Sequence, residues 1–165
     1  MLKSVFLALT TLGAVCALSA APAMARDYAI LDFEDDYSVV RVLDIDSISP
    51  VYDNIKSVWI TTLWQGDKVE DDVVRRRALT WYDCDTARSA IRTIELYSEV
   101  GGEADDNWTY DDTEMTWSTV DPDTLGDETR NYVCGLTPVT ADVKISADDD
   151  NQLEATVAAV YADPK

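Results

Sequence analysis

Three cysteines, no histidine and 32 aspartates and glutamates set out the chemistry open to this chain of 165 residues. With no imidazole it cannot assemble a Ser-His-Asp triad, a Cys-His dyad, a His-ligated zinc or a His-ligated haem. Cys84 and Cys134 could pair or react. They lack CxxC spacing and have no histidine to lower a thiol pKa, so a single structural disulfide is their simplest use. Closing a loop of 50 residues would constrain the unfolded chain by roughly 4 kcal/mol in the entropy model.

Carboxylates offer two further chemistries. A glycosidase-like acid and base pair is compatible with the composition, yet no two acids stand apart from the rest as a pair for a cleft. Calcium is suggested by Glu34-Asp35-Asp36, Asp105-Asp106-Asn107, Asp111-Asp112 and Asp148-Asp149-Asp150. Asp121, Asp123 and Gly126 match the first, third and sixth positions of an EF-hand loop, but Leu125 fails the fifth and Tyr132 the twelfth. The sequence therefore assigns no catalytic residue, no metal ligand and no cofactor. Arg75-Arg76-Arg77 resembles a phosphate patch, but in a strand neighbours point to opposite faces, so local ion pairing is expected instead. Among five Trp and eight Tyr, most should pack the core, while Trp108 and Tyr110 beside a turn are candidate protein-contact residues.

The elements that would hold these groups follow an export signal. Lys3 precedes an apolar run from Val5 to Leu18, and small residues end in Ala23-Met24-Ala25 before Arg26, so residues 1–25 read as a signal peptide cleaved between Ala25 and Arg26. Val15 before Cys16 does not fit lipid attachment, and no other stretch is long and apolar enough to cross a bilayer. The expected location is periplasmic or extracellular, with no stable membrane insertion. Cleavage removes one base and no acid, which takes the net charge from −19 to −20. Nucleic acid and anionic lipid would be repelled by such a surface.

Segments rich in Val, Ile, Tyr and Trp alternate with short acidic or Gly-containing breaks, which reads as sheet. Strands are expected over Tyr28 to Phe33, Ser38 to Ile45, Ile55 to Trp64 and Val73 to Tyr82, with a short one in Met115 to Val120. Ala87 to Tyr97 fits helical and strand spacing both; periodicity alone leans to helix, while the turn Val100-Gly101-Gly102 and the aromatic segment through Trp108 and Tyr110 beyond it lean to strand. Asp121 as N-cap with Pro122 in the first turn opens a helix that Gly135 should end. A bridge would then staple the helix across the sheet. The tail 136–165 is acidic and poor in aromatics. A short amphipathic helix fits Asn151 to Tyr161, and weak packing or mobility is expected of it.

Val42-Leu43-Asp44, Ser47-Ile48, Val58-Trp59, Tyr82-Asp83-Cys84 and Tyr97, then Trp117, Val120-Asp121-Pro122 and Val133-Cys134, form a series of markers. With them, the stretch from Tyr28 to Gly135 resembles the surface-adhesin protein E family of exported Gram-negative bacterial proteins. The resemblance implies an α+β fold: an antiparallel sheet with a C-terminal helix held to it by a disulfide, Cys84 to Cys134. It also tips the ambiguous Ala87 to Tyr97 segment towards strand. A family domain over 26–135 and a non-enzymatic binding or adhesion-like role are implied, with an unidentified protein partner. The alternative, suggested by charge, is an inhibitor or chaperone-like binder of a cationic protein such as a lysozyme.

Overall fold

The computed structural model describes residues 25–33, 39–64, 72–99, 102–140, 144–148 and 152–157. The leader up to residue 24, with Cys16, and the acidic or glycine breaks at 34–38, 65–71 and 100–101 lie outside the described residues. Among them are nine strands: β1 (Arg26–Phe33), β2 (Val39–Asp44), β3 (Ser49–Tyr52), β4 (Ile55–Trp64), β5 (Arg75–Asp83), β6 (Arg88–Tyr97), β7 (Asp106–Thr109), β8 (Ser118–Thr119) and β9 (Lys144–Ala147). They form one antiparallel sheet in the order β7-β6-β5-β4-β2-β1-β9, with β3 on β4 and β8 on β6. One helix, α1 (Leu125–Cys134), follows the eighth strand. Ala87 to Tyr97 is strand in the structure, because β6 pairs with β5 along its whole length. The turn residues after the segment and the resemblance, and not the periodicity, pointed the right way.

Both faces of the sheet bury side chains, so the alternation along β4 and β5 has no simple polar face. On one face, Ala29, Leu43, Val58 and Tyr82 pack with Val120 and Val133 beneath α1. On the other, Tyr28, Val40, Val42 and Leu63 pack with Ala147, Leu153 and Val157. A third cluster joins Ile55, Trp81, Ala90 and Met115. Each fully buried Val or Leu stabilises by roughly 1.5–3 kcal/mol, so the two covers matter to the sheet as much as its hydrogen bonds do.

Two expectations are corrected. The helix begins three residues later than the Asp121-Pro122 reading: Thr124 is the N-cap, its hydroxyl accepting from the Asp127 N–H at 3.3 Å. Pro122 and Asp123 instead occupy a turn, with Asp123 at φ 59°. Thr124 also donates to the Asp121 carbonyl at 2.7 Å, which draws the aspartate's backbone into the turn ahead of the helix. At the other end Gly135 adopts φ 74°, a left-handed conformation in which a Cβ is strained, and its N–H reaches back to Asn131 and Tyr132.

The second correction concerns the tail. β9 extends the sheet by pairing Arg26 to Ala29 with Ala147 to Lys144. A short helix over 152–157 lays Leu153 and Val157, 1% and 0% exposed, into the core. The segment is thus packed against the sheet and not loosely held. Its spacing of two apolar residues four apart suits one face of a helical turn, and the sheet supplies the apolar surface that the helix lacks alone.

Candidate functional site

The cysteines meet as their positions suggest. Cys84 follows the last residue of β5 and Cys134 is the last of α1, with an S–S distance of 2.02 Å and Cα atoms 5.7 Å apart. Arg130 reinforces the junction by donating to the Cys84 carbonyl at 2.8 Å. The bridge fixes the helix over the part of the sheet nearest the β5 end and leaves the rest of that face open. Beside it burial pushes the Tyr82 hydroxyl up to about 12, against the opposing hydrogen bond with Thr129.

Beyond the start of α1 the same face forms a trough. One depression of about 220 Å³ is floored by Ile60, Ala78 and Thr80 and walled by Leu125, Trp64 and Arg76. A second, of about 390 Å³, lies over Ile91 and Ile94 between Tyr110 and Ser118. Their floors lie on neighbouring strands, with Ile94 directly across from Ala78, and Ile91 from Thr80. The second alone is the size of small-molecule sites, roughly 300–1,000 Å³.

Trp108 and Tyr110 stand at the rim. Trp108 belongs to the edge strand β7, where it pairs with Ile94, and is 44% exposed; Tyr110 follows the strand at 36%. The structure therefore places both on the sheet's edge and not at a turn tip. Four other aromatics are occupied differently: arginine guanidinium groups sit over Tyr97, Trp59, Trp117 and Trp81 at 3.8 to 5.4 Å. Sequence reasoning missed the trough itself, since its floor comes from β4, β5 and β6, and only the register of those strands brings it together.

The three consecutive arginines divide as strand geometry requires. Arg75 is buried against Glu154 at 3.7 Å and Arg77 pairs with Glu95 at 3.3 Å, both on the face away from α1. Arg76 projects the other way, into the trough, and its guanidinium has no ion pair or hydrogen bond among the described residues. Nearby Arg41 is held by Asp32 at 2.7 Å. Burial, and then the charge of Arg41, lower the Arg76 pKa.

Carboxylates do not assemble into a reactive pair. Asp83 is consumed by the turn after β5, where it accepts from the backbone of Asp85 and Thr86, the Thr86 hydroxyl and Arg88 at 3.0 Å. These bonds, the Thr86 hydroxyl first, hold its pKa down to about 2. Asp44 shows the opposite sign, raised by burial despite Arg26 and the Ser47 N–H. Among the described residues no group of three or more His, Cys, Asp or Glu side chains is placed to hold a metal ion. None of their helices is long and apolar enough to cross a membrane.

The family model described as surface-adhesin protein E matches residues 31–135. Crystal form II of Haemophilus influenzae protein E is 14% identical, with 66% of this chain and 88% of that chain covered and a TM-score of 0.45. Protein E from non-typeable Haemophilus influenzae is 12% identical, with 93% and 95% covered and a TM-score of 0.45. No curated protein matches the chain. By the extent of the family match, which takes in both cysteines and every strand from β2 to β8, the chain belongs to the surface-adhesin protein E family.

Proposed function

We propose that this protein is a non-enzymatic, exported binding domain that attaches to a host matrix protein through the β7 edge, with Trp108 and Tyr110 as contact residues. Family membership supports a surface adhesin-like role. The observation that carries the finer reading is the exposure of two large aromatics two residues apart at what is, among the described residues, an edge of the sheet, next to a depression over Ile91 and Ile94. Aromatic side chains beside a concave apolar surface are what tight protein contacts use. In this reading the leader is removed between Ala25 and Arg26, residues 26–135 are the family domain and 136–165 an acidic extension of it. The processed chain acts in the periplasm or outside the cell.

Solid-phase binding to a panel of host matrix proteins tests the contact. The wild-type chain is expected to saturate on at least one, and the paired change Trp108→Ala with Tyr110→Ala to weaken that binding by roughly tenfold or more, the scale of interface hot spots. Unchanged affinity in a variant with wild-type circular dichroism would overturn the aromatic assignment.

The net charge of −19 supports a second reading, an inhibitor or chaperone-like binder of a cationic protein such as a lysozyme. Electrostatic steering would then dominate association. Association with lysozyme that slows steeply as salt rises favours this alternative; absent or salt-insensitive association removes it.

A further inference from the structure

We propose that the trough between α1 and β7 binds a small anionic amphiphile, a carboxylate on a straight alkyl chain, with Arg76 holding the carboxylate and the sheet floor taking the chain. Three observations converge on this chemistry. Leu31, Leu125, Ile60 and Ala78 contribute aliphatic side chains to the first depression and Ile91 and Ile94 to the second, among threonines and serines, with Glu114 at the far wall of the second. Such a surface accepts a flexible hydrocarbon by burial alone.

The second observation is the cation in the first depression. Arg76 is half-buried in the first depression, and Arg41 beside it is already matched by Asp32. A half-buried guanidinium with no counter-charge among the described residues is costly, the more so beside another arginine, and one carboxylate would satisfy it with two parallel hydrogen bonds. In a chain of net charge −19, a half-buried cation with no acid of its own among the described residues stands out.

Geometry supplies the third. Arg76 and Ala78 lie two residues apart on β5 and so project from the same face, and Ala78 opposite Ile94 carries that face on to β6. A ligand anchored at Arg76 would run across the strands over Ala78 and Ile94 towards Tyr110. The residues used are distinct from Trp108, so this reading and the matrix-protein contact can fail separately.

Calorimetric titration of the full chain with dodecanoate, kept below its micellar concentration, tests the assignment against dodecanol and dodecyltrimethylammonium. Dodecanoate is expected to saturate one site, the neutral alcohol to bind roughly tenfold or more weakly, and the cation not to bind, as loss of a charge-assisted pair implies. Arg76→Gln should abolish the preference for the acid over the alcohol, and Arg76→Lys should restore part of it. Equal affinity for dodecanoate and dodecanol in the wild-type chain overturns the proposal, and needs no variant to fold. A preference that survives Arg76→Gln overturns it as well.

Discussion

Asp83 collects its donors from the turn that carries the chain from β5 into β6, and its low pKa is the record of how much that turn depends on a negative charge. Its carboxyl is depressed from 3.8 to about 2, so the stabilisation is complete above pH 4 and is lost as the pH falls through 2. The difference corresponds to about 2 kcal/mol. Asp83→Asn should lower the urea midpoint at pH 6, and the gap between variant and wild type should close as unfolding is repeated down to pH 2. A gap that does not narrow would show that the charge is not the source. Little of this was legible beforehand: Asp83 stands in a run of residues that marks the family, but its partners Thr86 and Arg88 gain meaning only when the turn brings them to the carboxylate. Arg76 was legible to the extent that strand alternation separates it from Arg75 and Arg77, whereas the hollow it faces was not.

At the scale of elements, the bridge and the helix act together. The Cys84–Cys134 link spans 50 residues, and replacing both cysteines with serine should reduce unfolding free energy by about 4 kcal/mol in the loop-entropy model. Urea denaturation of the oxidised and double-serine chains measures it, and a loss well under 1 kcal/mol would mean that packing of Val133 and Val120 alone holds the helix down. Strand positions were readable because β-branched and aromatic residues cluster between acidic breaks, and the stop at Gly135 because only a residue without Cβ enters φ 74° freely. The helix start was misread for a physical reason. Asp121-Pro122 carries the composition of a first turn, but the hydroxyl of Thr124 satisfies a helical N–H while the preceding residues fold into a separate turn. The ambiguous segment that became β6 shows the limit of periodicity: its long pairing with β5 outweighs an apolar spacing that also fits a helix.

Across the whole molecule, the acidic composition hides a buried ion pair that ties the C-terminal segment to the sheet. Arg75, 1% exposed, has Tyr97 against its guanidinium and Glu154 at 3.7 Å. Glu154→Ala leaves that cation buried without its acid and should cost about 3 kcal/mol. Leu153→Ala should cost a similar amount through the cavity it opens, on the order of 2–5 kcal/mol. Thermal unfolding of both variants checks the pair of expectations, and wild-type melting in both would return the segment to a loosely attached role. This attachment could not be read from the sequence, because Leu153 and Val157 reveal a core only when Val40, Val42 and Leu63 are seen to face them. The pairing of β9 with β1 has a consequence for handling the protein. Arg26, on β1, neighbours Ala147 of the marginal β9, and β7 forms the opposite margin five strand spacings from β1, roughly 24 Å. A tether fixed at Arg26 therefore points Trp108 outward from whatever support holds it, so a sensor surface coupled at that end displays the aromatic margin to the surrounding solution.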